Sequence, residues 1–196
     1  MRKILAVLAP LAMLTLVIAG CGMGKGASDA AIGMAQSSFD AAKDNAMKIA
    51  PDQAMAIQAS IDSAKAAEER GDFKTALETA KAIPEQVKTM TDGLPAKEQE
   101  LRAQWDQMKG LSAGLDQFKA QVEKLEAMKH LPAGMDVKVD AAKATLGTMT
   151  KAWDEAQEDF QSGKLAEAAS KAGAVKQLLT DGMTAMGMPL PDMLRS

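Results

Sequence analysis

Few side chains in this chain are equipped for chemistry, and each type points in a different direction. There is one cysteine, Cys21, and one histidine, His130. Four methionines gather near the C-terminus, Met183, Met186, Met188 and Met193. Thioethers are soft ligands that select monovalent copper, and Met183 and Met186 lie about one helical turn apart. The chain holds 15 methionines in all, so the competing role of this group is adaptable core filling. The carboxylates Glu98 and Glu100, and the run Asp154, Glu155, Glu158 and Asp159, are candidate ligands for a divalent ion. Such runs are commonly solvated helix faces, and lysines at four-residue spacing are placed to pair with them.

Catalysis requires convergent polar groups, a nucleophile with its base or a carboxylate pair. His130 sits in a turn with no serine or cysteine pattern around it, and its simplest role is to interact with a helix dipole. One histidine and one cysteine cannot assemble a structural zinc site, and no Cys-x2-Cys-His haem site is present. No loop alternates acidic ligands with glycine as a calcium site does. The expectation is a chain without enzymatic activity or cofactor.

The cysteine has the most specific context. Arg2 and Lys3 open the chain, Ile4 to Ile18 is apolar apart from Thr15, and Ala19 and Gly20 lead to Cys21. A basic start, a short apolar run and small residues before a cut site form a secretory signal. The apolar run, 15 residues long, is shorter than the roughly 20 that a spanning helix needs. Ile18, Ala19, Gly20 and Cys21 resemble the lipobox of bacterial lipoproteins position for position. The resemblance covers the signal alone. It implies a diacylglycerol on the Cys21 sulfur, cleavage between Gly20 and Cys21, and acylation of the freed amine. Two or three acyl chains hold a protein firmly, at about 0.8 kcal/mol per buried methylene. Enteric lipoproteins kept in the inner membrane carry aspartate after the cysteine. Gly22 stands there instead, which by the same resemblance points to an outer membrane facing the periplasm.

Without residues 1–20 the chain has 176 residues, with 21 basic against 26 acidic side chains, a balance of −5. That length suits one domain with a real core. The acidic surface argues against nucleic acid as a partner, since phosphates demand basic patches. With Cys21 acylated no thiol remains for a disulfide. Strong helix formers dominate and tyrosine is absent, so the chain reads as all-α.

Apolar residues recurring at steps of three and four define six stripes. Residues 21–27 form a flexible tether, and Ser28 or Asp29 is placed to cap the first helix. Ile32 to Ile49 is its stripe, and Pro51 starts the second helix, with Gly71 ending it and Asp72 capping the third. Pro84 predicts a kink or brief break in the third helix. Asp92-Gly93-Leu94-Pro95 reads as a turn. Ala96 to Lys129 is then either one bent helix of about 50 Å or two shorter ones. His130 to Gly134 is the next turn, the fifth stripe runs from Met135 to Phe160, and the sixth from Leu165 to Met186. Residues 188–196 read as an extended tail. The rhythm predicts an antiparallel helical bundle over 28–187 with coiled-coil-like packing.

An internal echo accompanies it. Ala-x6-Gly-Asp-Phe-x2-Ala at Ala64 to Ala76 returns 92 residues later as Ala-x6-Gly-Lys-Leu-x2-Ala at Ala156 to Ala168. Thr91-Asp92-Gly93-Leu94 returns as Thr180-Asp181-Gly182-Met183. Two related helical-hairpin units, over 52–94 and 134–186, are expected. The corner resembles the inter-helix turn of tetratricopeptide repeats, a likeness that covers one turn and supports a hairpin rather than a peptide-binding array. The functional expectation is an anchored envelope protein that is structural or binds other envelope proteins. The alternative is a carrier of copper(I), or of an apolar ligand in an inter-helix groove.

Overall fold

A computed structural model describes residues 24–128 and 135–195. Its elements are α1 (Lys25–Ile49), α2 (Pro51–Glu69), α3 (Phe73–Met108), α4 (Leu111–Glu126), α5 (Met135–Gln161), α6 (Leu165–Ala185) and a 3-10 turn at Asp192–Leu194. The fold is all-α, and no strand occurs among the described residues.

The helices pack as two bundles that share α3. Helices α1, α2 and the first part of α3 enclose a core containing Phe39, Ile57, Ile61, Ile83 and Leu94. Helices α4, α5 and α6 enclose a second core containing Phe118, Met149, Val175, Leu179 and Met183. Trp105, near the end of α3, belongs to that second core. It stacks on Trp153, with ring centroids 5.3 Å apart and planes 9° from parallel. Its other contact is Phe160, at 4.4 Å and 9°. Phe160 also packs against the first core, so this aromatic stack is the joint between the bundles. The Trp153 indole N–H is buried with no acceptor among the described residues; stacking, not a hydrogen bond, holds that ring.

Two hairpin corners have the same geometry. At the end of α2, Gly71 adopts φ +80°, its N–H donates to the Glu68 carbonyl, and the Asp72 N–H donates to the Ala67 carbonyl. At the end of α5, Gly163 adopts φ +80°, its N–H donates to Phe160, and the Lys164 N–H to Asp159. This is the Schellman termination, in which two orphan carbonyls of the last turn are satisfied by a left-handed residue. Ala64, Ala76, Ala156 and Ala168 flank the corners and are all 0% exposed, because alanine lets each helix pair close tightly beside its turn. Asp72 caps α3 as expected, accepting from the Thr75 N–H, and Pro51 stands at the start of α2.

Four boundaries differ from the sequence reading. The Asp92–Pro95 turn does not form, and α3 runs through both Pro84 and Pro95 as one helix of 36 residues. Both prolines face solvent, where water can take the carbonyls they leave free, while Ile83, Val87, Met90, Leu94 and Leu101 continue one buried face past them. Tertiary burial thus overrides local turn propensity. The break falls instead at Lys109–Gly110, where a Cβ on Gly110 would lie 2.9 Å from the Met193 Sδ. The stretch from Ala96 to Lys129 is therefore neither one helix nor two of its own: its first part completes α3, and α4 follows. At the N-terminus, α1 begins at Lys25 with Gly24 as its cap, which shortens the expected tether. Ser28 is buried inside the helix and its hydroxyl donates to Glu68 on α2. At the C-terminus the tail folds back, burying Leu194 in the second core.

Candidate functional site

Two of the candidate residues fall where nothing can be said of their geometry. Cys21 and His130, with Lys129 and Leu131 to Gly134, lie outside the described residues.

All four methionines of the C-terminal group pack on the second core. Met183 is 1% exposed, and Met186, Met188 and Met193 are half-buried against the same cluster. The Met193 sulfur and terminal methyl fill the space beside Gly110, which is the packing role that flexible thioethers serve.

The acidic runs are largely paired with cations. Glu98 accepts from Arg102 at 2.9 Å, and Glu100 from Lys97 at 2.9 Å. Among the described residues no group of three or more histidine, cysteine or acidic side chains is arranged to hold a metal ion. Asp159 corrects the expectation of a solvated face. Its side chain is only 9% exposed, and Lys171 of α6 reaches it at 2.7 Å. Lys164 lies 3.4 Å away, and Lys171 also meets Glu155 at 3.3 Å. The Lys171 hydrogen bond holds the Asp159 carboxyl below its ordinary pKa, against the opposing effect of burial. The same bond raises Lys171 above its ordinary value. The pair clamps α6 to α5 one turn from the Gly163 corner.

A folded-state pKa below the unfolded value makes stability depend on pH in one direction. The Asp159 contribution is complete above the unfolded carboxyl value, about 3.9, and disappears as pH falls through the lower folded value. Asp159→Asn is expected to cost about 1–2 kcal/mol at pH 7, both lysines being partly solvated. Thermal melts of the two proteins should converge as pH falls below the unfolded carboxyl value, about 3.9, and through the lowered folded one. A gap that persists at the acid end would mean that shape, not charge, holds the corner.

A concavity opens beside the first bundle. A groove of about 1350 Å³ runs between α2, α3 and the start of α6. Its floor is the outer side of Ile49, Ile57, Met90 and Leu94, each at most 5% exposed. Its exposed walls are small or polar: Ala56, Ala82, Thr89, Gly93 and Ser170. Asp52, Glu85 and Glu167 stand along it with Lys97 and Lys171. Lys97 and Lys171 are both engaged with carboxylates, Glu100 and Asp159. Asp52 and Glu85 are in no ion pair among the described residues. The sequence reading named an inter-helix groove only in general terms. The wall on α6 lies more than 100 positions from that on α2, so no local pattern announces it.

Among the described residues no helix is long and apolar enough to cross a membrane. No family model, curated protein or solved structure matches the chain.

Proposed function

We propose that this chain is a bacterial envelope lipoprotein, held by acyl chains on Cys21, whose helical body is a non-enzymatic protein-binding module. The observation that carries the reading is the sequence Ile18-Ala19-Gly20-Cys21 at the end of a basic-then-apolar leader. Two structural facts support it. The open groove on the first bundle supplies a surface for a partner. Of the carboxylates read as possible ligands, Glu98, Glu100, Glu155 and Asp159 are used in ion pairs between and along helices, a structural use. Gly22 after the cysteine supports, through the lipoprotein resemblance, an outer-membrane location where the cell has one.

Cys21→Ser tests the anchor. The native chain should fractionate with membranes and carry the mass of two or three acyl chains on a protein starting at residue 21. The serine variant should lose that mass, remain uncut after Gly20, and fail to incorporate labelled fatty acid. Incorporation of fatty acid into the variant ends the reading.

A further inference from the structure

We propose, resting on the reading of an anchored binding module, that the groove between α2, α3 and α6 receives a basic amphipathic helix from a protein partner. Shape comes first. Ala82, Gln86, Thr89 and Gly93 follow one another at steps of three and four along an exposed strip of α3. Gln53, Ala56 and Ser60 keep the same spacing on α2, the first two exposed and Ser60 half-buried. Two such strips facing one valley are the ridges between which a further helix seats. Small side chains on both let its axis approach to about 8–10 Å. The α3 strip continues to Lys97, a run of about 22 Å at 1.5 Å per residue. That matches a guest of about four turns, and a guest there would turn the three-helix first bundle into a four-helix one.

Charge selects the guest. Lys97 and Lys171 are occupied by Glu100 and Asp159, at 2.9 Å and 2.7 Å. Glu167 has only a 3.9 Å contact to Lys164, and Asp52 and Glu85 have no ion-pair partner among the described residues. The groove therefore offers carboxylates to whatever enters, and lysines or arginines flanking an apolar seam complement them. Position argues against a lipid occupant. Cys21 precedes Lys25 by four residues, a reach of at most about 14 Å. The start of α1 and the α2–α3 corner therefore lie nearest the anchor. The Ile49–Pro51 end of the groove stands a full length of α1 from that helix's first turn, about 37 Å.

The test uses residues 21–196 with Cys21→Ser, which retains every described helix. Two fluorescent 18-residue peptides share one leucine and alanine seam, flanked by lysine in one and glutamate in the other. Fluorescence anisotropy at low salt should show the lysine peptide binding at least tenfold more tightly. Ala82→Trp, at an exposed position, should weaken it at least tenfold with an unchanged melting temperature. The triple variant Asp52→Asn, Glu85→Gln, Glu167→Gln should remove the preference between the peptides. Equal binding of both peptides, or indifference to Ala82→Trp, overturns the assignment. So does self-association that Ala82→Trp abolishes, which would make a second copy the occupant, or a fatty acid that binds in the groove while the lysine peptide does not. The fatty-acid labelling of native and Cys21→Ser chains is read separately: a lipidated chain that ignores the peptide sinks this inference alone.

Discussion

Trp105→Ala is expected to lower stability by about 3–5 kcal/mol and to uncouple the two bundles. The ring is 6% exposed and lies between Trp153 and Phe160 in parallel stacks. Arg102 covers the Phe160 ring at 5.8 Å. Truncation removes buried aromatic area and both stacking contacts, and the flat partners on either side cannot close the gap by rotating. At about 2–4 °C per kcal/mol for a chain of this size, the melting temperature should fall by roughly 6–20 °C. The location makes a second effect specific. Leu101, one turn earlier on α3, packs in the first core, whereas Trp105 packs in the second. With the joint emptied, the near-ultraviolet signal of Trp153 should be lost at a lower temperature than the helical signal of the first bundle. A single coincident transition shifted by less than about 1 kcal/mol would show that α3 alone, not the aromatic stack, couples the halves.

Phe39→Ala should be comparably severe, about 3–5 kcal/mol, but on the other half. Phe39 is 0% exposed and is the one fully buried aromatic of the first core. Its neighbours on α1 are Ala35, Ala42 and Ala46, and alanines have no side chain to extend into a vacated space. The cavity would therefore persist, the condition under which large-to-small substitution costs most. Phe39→Leu should recover most of the loss, since it restores volume and needs no polar partner. In chemical denaturation the alanine variant should unfold the α1–α3 helices first and leave the Trp153 environment in place longest. That order is the reverse of the one expected for Trp105→Ala. Equal loss of both signals in both variants would mean one indivisible core.

How much of this was legible beforehand depended on range along the chain. The all-α class, the three-four stripes and both glycine corners were readable, because each is set by residues within two helical turns. A glycine that alone tolerates φ +80° marks its turn whatever surrounds it. The buried status of Ala64, Ala76, Ala156 and Ala168 followed from the same short patterns. Near the Thr91 and Thr180 echo, the turn expected at Asp92–Pro95 does not form. In the fold both threonines lie inside helices, and their hydroxyls donate back to the carbonyls of Val87 and Lys176 at 2.8 Å.

The proposed address and attachment point rest on residues 1–21 as sequence alone, and the spacing of apolar residues determined that the described body would be helical. Tertiary structure alone decided that α3 outlasts two prolines, that Gly110 breaks the chain under Met193, and that Asp159 is buried beneath Lys171. It also decided that a groove opens between α2, α3 and α6. Each of these turns on which distant side chain occupies a given space. Local propensities are worth about 1 kcal/mol or less per residue apart from proline. Burial of a run of large apolar side chains, each worth about 1.5–3 kcal/mol, settles the outcome where the two disagree.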